Sequence, residues 1–204
     1  METIAYYLAL VFVMAVPAAL ASRFVLHLFE PRLRRAGPVA VRAATVAVIL
    51  GIMGAVFLIR QPVLKLHFGV KAPLVVVSVV LFGISSYLRA QILRQIPLRR
   101  MLELPEMPDQ DAGKLITGGI YSRMRHPGYV AMSLNVAAVA LFTNYLAAYV
   151  VALAFMPLIG LLAVLEEREL QARFPGAYRA YCTRVPRFVP RLSASGRQGG
   201  GDET

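Results

Sequence analysis

Apolar positions in this chain fall in long blocks instead of alternating with polar ones. The blocks run from Ile4 to Ser22, Val39 to Ile59, Ala72 to Leu88, Val130 to Phe142 and Tyr145 to Leu165. Runs near 20 residues are what an α-helix needs to cross about 30 Å of hydrocarbon at about 1.5 Å per residue. The pattern therefore predicts an all-α integral membrane protein with about five transmembrane helices. Only Thr143–Asn144 separates the last two blocks, too short for anything but an antiparallel helical hairpin. Beyond Tyr87 the third helix is expected to continue along the interface, with Leu88, Ile92 and Ile96 on one face and Arg89, Gln91, Arg94 and Gln95 on others, until Pro97. The fifth is expected to pass through Glu166–Glu167 to about Arg173, with a kink at Pro157 and a stop at Phe174-Pro175-Gly176. Ala43, Ala47, Gly51 and Ala55 recur every fourth residue in the second span, a small-residue stripe that reads as a helix-packing seam.

Composition removes the soluble alternative. Of 204 residues, 58% are hydrophobic and 16% charged, with mean hydropathy +0.62, whereas soluble domains carry about 25% charged residues. The net charge of +11 and pI near 10.4 would suggest nucleic acid in a soluble protein. Here the basic residues lie between apolar blocks, so anionic lipid head groups are the expected partner and nucleic acid is not. The first connection holds Arg23, Arg32, Arg34, Arg35 and Arg42, and the third holds Arg89, Arg94, Arg99, Arg100, Lys114, Arg123 and Arg125. The segment after the fifth span holds Arg168, Arg173, Arg179, Arg184, Arg187, Arg191 and Arg197, against Arg60, Lys65 and Lys71 alone on the other side. That bias places the heavy side, with the C-terminus, in the cytoplasm and the N-terminus outside, across a plasma (inner) membrane. Met-Glu-Thr-Ile lacks the positive region of a signal peptide, so the first block is expected to stay as a span. Cys182 is the one cysteine, and His27, His67 and His126 share no ligand spacing, so neither an internal disulfide nor a metal is expected. Three regions follow: membrane helices and a proline-containing cytoplasmic loop over 1–110, a helical hairpin with a C-terminal interfacial segment over 111–192, and a glycine-rich disordered tail over 193–204.

Three polar clusters border the last two spans. The first ends in Arg125-His126-Pro127-Gly128-Tyr129, preceded by Gly118-Gly119. Pro127 suits the first turn of a helix, which places His126 at the N-cap beside free backbone N–H groups that attract an anion; anchoring at the head groups is the other reading. The second, Glu166-Glu167, is either a solvated helix end paired with Arg168 or a site for a cationic or hydroxyl-rich ligand. The third carries Tyr178 and Tyr181 on one helical face, either an amphipathic lid over the site or aromatic anchors in an interfacial belt. Cys182 reads as a packed small residue, and His27 and His67 as interfacial and structural.

In this order and spacing the clusters resemble the isoprenylcysteine carboxyl methyltransferase family and the related membrane phospholipid methyltransferases. The family pattern Leu-Val/Ile-Thr-x-Gly-x-Tyr-x-x-x-Arg-His-Pro-x-Tyr, a hairpin, Glu-Glu, and Phe-Gly-x-x-Tyr-x-x-Tyr-x-x-Arg-Val/Thr-Pro is followed at residues 115–129, 166–167 and 174–190. The resemblance implies a methyltransferase that binds S-adenosylmethionine at the cytoplasmic ends of the last two spans. Leu115, Ile116, Tyr121, His126, Pro127, Gly128, Tyr129 and Glu166 match cofactor-contacting positions, with Arg125, Tyr178 and Tyr181 completing the expected pocket. A lipophilic or lipidated acceptor would enter from the bilayer, and prenylcysteine O-methylation is the favoured chemistry. Phospholipid N-methylation, with Glu167 as the nearest base, and thiol S-methylation stand beside it. Where the family often has an arginine for the acceptor carboxylate, one turn before Glu-Glu, this chain has Leu162, so that role would fall to Arg125 or Arg184. Phe174-Pro175 replaces Phe-Gly, and Leu88-Arg89-Ala90-Gln91 stands for Leu-Arg-x-Trp-Ala. The ending also resembles that of NADPH-dependent sterol reductases. A non-catalytic membrane protein with anchoring clusters is the third class.

Overall fold

The computed structural model describes residues 1–95 and 115–190, apart from the side chains of 26–36 and 38. The described residues form seven α-helices: α1 Glu2–Ala36, α2 Pro38–Leu58, a single turn α3 Arg60–Val63, α4 Ala72–Leu93, α5 Pro127–Thr143, α6 Leu146–Arg173 and α7 Pro175–Arg184. A 3-10 turn, Gly119–Ser122, precedes α5. The chain is an all-α membrane protein. Four helices are long and apolar enough to cross a bilayer, at Glu2–Val25, Val39–Leu58, Ala72–Leu93 and Leu146–Arg173. The fifth expected span, α5, has 17 residues and covers roughly 25 Å, less than the hydrocarbon thickness. It is short because Pro127 sets its start and Asn144 its end, the latter in a left-handed conformation at φ 54°. The proline loop expected over 97–114 and the tail over 193–204 lie outside the described residues, as does the side chain of His27.

Helix pairing is written in small residues. On α4, Ser78 and Ser85 donate hydrogen bonds to the carbonyls of Ala138 and Ala131 on α5, each at 2.8 Å. The two contacts are seven residues apart on both antiparallel helices. Without water in the bilayer such bonds contribute about 0.6 kcal/mol each, and the small partners let the backbones approach. Ala5, Ala9, Ala140 and Ala148 are fully buried where α1 meets the α5–α6 hairpin, beside Phe12, Val13 and Tyr145.

The second span departs from its expected seam. Ala43, Ala47, Gly51 and Ala55 are all exposed, and a Cβ at Gly51 would meet nothing within 4 Å. The half-buried face of α2 is instead Ala44, Thr45, Val48, Ile49, Ile52, Met53 and Val56. α2 packs against α1, and Val56 of that face joins the core that α1 shares with the hairpin.

The hairpin end is pinned by polar contacts. Phe68 N–H donates to the Asn144 carbonyl and Leu146 N–H to that of Leu66, both at 3.0 Å. Asn144 donates from Nδ2 to the Gly69 carbonyl (2.7 Å) and accepts from the Tyr149 hydroxyl (2.8 Å). Glu2 accepts from Val70 N–H at 2.9 Å, which brings the start of α1 to the same end. His67 lies against Tyr145, ring centres 5.3 Å apart, and serves this structural corner. The opposite, basic end carries the site.

Candidate functional site

Each polar cluster is delivered to the basic end by a local signal in the chain. His126 is the N-cap of α5 because Pro127 follows it. Glu166 and Glu167 project from α6, which runs on unbroken through Pro157 to Arg173. The segment after α7 then turns back: Arg125 N–H donates to the Pro186 carbonyl (2.9 Å) and His126 N–H to that of Arg187 (3.1 Å). Those bonds hold residues 185–188 against the start of α5. The loop before it is held from just past the end of α4, where the Gln95 carboxamide, in the orientation that satisfies both groups, donates to the Gly118 carbonyl (2.7 Å) and accepts from Ile120 N–H (3.0 Å). Gly119 adopts φ +54°, and a Cβ there would run into the Gln95 side chain.

Glu167 is the centre of the charge network. Its carboxylate accepts two bonds from Arg187, Nε to Oε1 at 2.9 Å and Nη2 to Oε2 at 2.6 Å. Arg125 Nη1 lies 3.0 Å and His126 Nε2 2.9 Å from Oε1. The side chain is 12% exposed, and three cationic or donor groups compensate for that burial. The Arg187 guanidinium is held above its ordinary pKa, chiefly by its hydrogen bonds to Glu167. Glu166 takes the other side of the imidazole, 3.6 Å from Nδ1, and keeps 43% of its side chain exposed. Both ring nitrogens of the buried His126 thus face carboxylates, while its ring stacks on Tyr129 at 5.4 Å and meets Phe188 at 5.9 Å.

Beside this network opens a cavity of about 520 Å³ between α1, α5 and α6. Its mouth is polar, with Arg23, Arg89, Tyr121, Arg125, His126 and Glu166; its depth is apolar, with Ala15, Val16, Met132, Val136, Phe155 and Ile159 among the walls. Burial pushes the Tyr121 phenol up to about 12, and the charge of Glu166 adds to the effect. It is therefore a neutral hydrogen-bonding group at physiological pH.

Of the residues expected from the sequence, Tyr121, Arg125, His126, Pro127, Gly128, Tyr129 and Glu166 line this cavity. Glu167 stands behind it as the organiser of Arg125, His126 and Arg187. Tyr178 and Tyr181 do not form a lid. Both are buried, packed with Val185, Leu115, Leu170 and Phe174, because α7 folds its aromatic face onto α6 and the loop before α5. The Tyr181 hydroxyl donates to the Tyr121 carbonyl at 2.6 Å, and burial pushes its pKa up to about 12; burial and then Glu167 raise that of Tyr178. Leu115 belongs to that same small core, Ile116 is half-buried away from the cavity, and exposed Arg184 donates to its own helix at the Ala180 carbonyl. Cys182 accepts a contact from Arg125 Nη1 at 2.8 Å and is half-buried. Leu162 is buried in the cavity wall.

Sequence reasoning missed the whole α1 wall, together with Arg89, Arg187 and Asn135. Asn135 carried a usable signal, since an amide inside an apolar helix is costly to bury without a partner. The alanines of α1 carried none. Among the described residues no group of three His, Cys, Asp or Glu side chains converges as a metal site would require.

Residues 73–176, from the first turn of α4 to the first of α7, match the family model described as phospholipid methyltransferase. Over 80 residues the chain is 40% identical to the cobalt-zinc-cadmium resistance protein CzcN of Cupriavidus metallidurans, a match covering 39% of this chain and 37% of that protein. The match thus spans little more than a third of that curated relative's length. No solved structure matches.

Proposed function

The chain belongs to the phospholipid methyltransferase family, within the isoprenylcysteine carboxyl methyltransferase-like superfamily, and we propose that it transfers a methyl group from S-adenosylmethionine to a lipophilic acceptor at the basic end of the α1–α5–α6 cavity. The observation that carries this reading is a polar mouth, built from His126, Glu166 and the first turn of α5, opening onto an apolar chamber.

The residues at the mouth fit the cofactor's chemistry. The first turn of α5, from Gly128 onward, is the positive end of a helix and suits a carboxylate. Glu166, half-exposed on the cavity wall, suits an ammonium or ribose hydroxyls. The cofactor supplies an electrophilic methyl on a sulfonium, which an acceptor's lone pair takes as the carbon–sulfur bond breaks to leave a neutral thioether. The chain's own contribution is position and exclusion of water. Glu167, neutralised by Arg125 and Arg187, locks the imidazole of His126 and the 185–188 segment in place. Glu166 is the carboxylate on the cavity side, so it is the group that would accept a proton from an amine acceptor. Apolar side chains of α1 and α6 receive the acceptor's hydrocarbon part. With Leu162 in the wall, a carboxylate acceptor would turn to Arg23, Arg89 or Arg125 at the mouth. By the distribution of basic residues this end faces the cytoplasm, where the cofactor is made available.

The test is S-adenosylhomocysteine binding to the protein in lipid nanodiscs, followed by methyl-label transfer to prenylcysteine analogues, phospholipids and small thiols. Glu166→Gln is expected to weaken that binding at least tenfold with little change in melting temperature. Wild-type protein that binds no S-adenosylhomocysteine would remove the donor site.

A further inference from the structure

Asn135 sits two turns into α5, eight residues beyond Pro127, which places it roughly 12 Å along the helix from the mouth. It lines the cavity. Its Oδ1 is buried and finds no hydrogen-bond donor among the described residues. The neighbouring wall positions, Ala15, Val16, Met132, Val136, Phe155 and Ile159, offer side chains with no donor. A buried amide oxygen without a partner costs about 1–3 kcal/mol. A leucine or alanine at this position would pack the helix without that cost. The amide is therefore an expense that helix packing does not explain, in a chamber otherwise shaped for hydrocarbon.

We infer that Asn135 is a specificity-determining residue that hydrogen-bonds a polar group within the acceptor's lipophilic body, about 12 Å from its reacting end. The inference rests on the methyltransferase reading above. A turn about the side chain's terminal bond presents either the carbonyl or the amide N–H to the cavity, so a hydroxyl, which both donates and accepts, is the suitable probe.

The experiment uses the full chain in nanodiscs and two alkyl thiol acceptors of equal length, one with a hydroxyl placed about 12 Å from the sulfur and one without. In methyl transfer the thiol first loses its proton to solvent, and the thiolate sulfur then takes the methyl as the donor's carbon–sulfur bond breaks. Wild type is expected to favour the hydroxylated thiol, and Asn135→Leu to raise that acceptor's KM at least tenfold, with kcat and the affinity for S-adenosylhomocysteine held within twofold. Asn135→Ser, which restores a hydrogen-bonding side chain, is expected to recover part of the preference, which a purely structural role would not produce. An equal response of both thiols to Asn135→Leu, or no wild-type preference, overturns the inference alone. Wild-type protein that fails to bind S-adenosylhomocysteine overturns the methyltransferase reading and this inference together.

Discussion

Replacing Glu167 by glutamine keeps the shape of the side chain and removes its charge. In the native arrangement that charge receives a bidentate contact from Arg187 at 2.9 and 2.6 Å, one from Arg125 at 3.0 Å and one from His126 at 2.9 Å. Breaking a fully buried ion pair by removing one partner costs about 3–5 kcal/mol, mostly because the other charge is left without compensation. Arg187 keeps 39% of its side chain exposed, so water recovers part of its share, whereas Arg125, at 13%, recovers little. The expected loss is about 2–4 kcal/mol. By the usual scaling for a chain of this size that lowers the melting temperature by roughly 5–15 °C. The assay is thermal unfolding in nanodiscs, read with S-adenosylhomocysteine affinity, because releasing His126 and the 185–188 segment also loosens the cavity mouth. Arg125→Met on top of Glu167→Gln should restore part of the lost stability by removing the cation that water reaches least. An unchanged melting temperature in the single variant would refute the view that this carboxylate organises the basic end.

Two further outcomes follow from the same geometry. Gly119→Ala places a side chain at φ +54° and drives the Gln95 carboxamide out of its two bonds to Gly118 and Ile120; it should cost about 1–3 kcal/mol, with Gln95→Ala removing the steric part, and the pair of melting temperatures checks this. Tyr121 and Tyr181 are both held neutral up to about 12. Because the folded value lies above the ordinary 10, their contribution to stability is fully present below pH 10 and is lost as pH rises from about 10 to about 12. Tyrosinate absorbance followed alongside unfolding checks this, and a normal titration of all tyrosines in the folded protein would contradict it.

The legible part of this protein was the part set by local chemistry. Long apolar runs require helices because the bilayer leaves backbone groups no other partner, and Pro127, Asn144 and Phe174-Pro175-Gly176 mark ends that the structure respects. The polar positions clustered at two of those ends were visible too, since charged and aromatic residues interrupt an apolar chain conspicuously. Side-chain direction was less legible. Small residues at every fourth position of α2 looked like a seam but lie exposed, while the serines of α4 make the contact with α5. Adjacent glutamates looked equivalent, yet one lies against two guanidinia and the other faces the cavity, because a one-residue step turns a helical side chain by about 100°.

By itself the chain's order of residues determined the helices, four of the five expected spans and the candidate chemistry at the basic end, since each depends on neighbours within a turn or two. Only the tertiary structure decided that α1 supplies a wall of the cavity, that Tyr178 and Tyr181 turn into a core, and that Asn135 lines the chamber with its Oδ1 buried and unpartnered among the described residues. Those outcomes depend on how helices distant in the chain are rotated against one another. In lipid that rotation is chosen by close packing of small side chains over many contacts, information that is spread across all the helices and local to none.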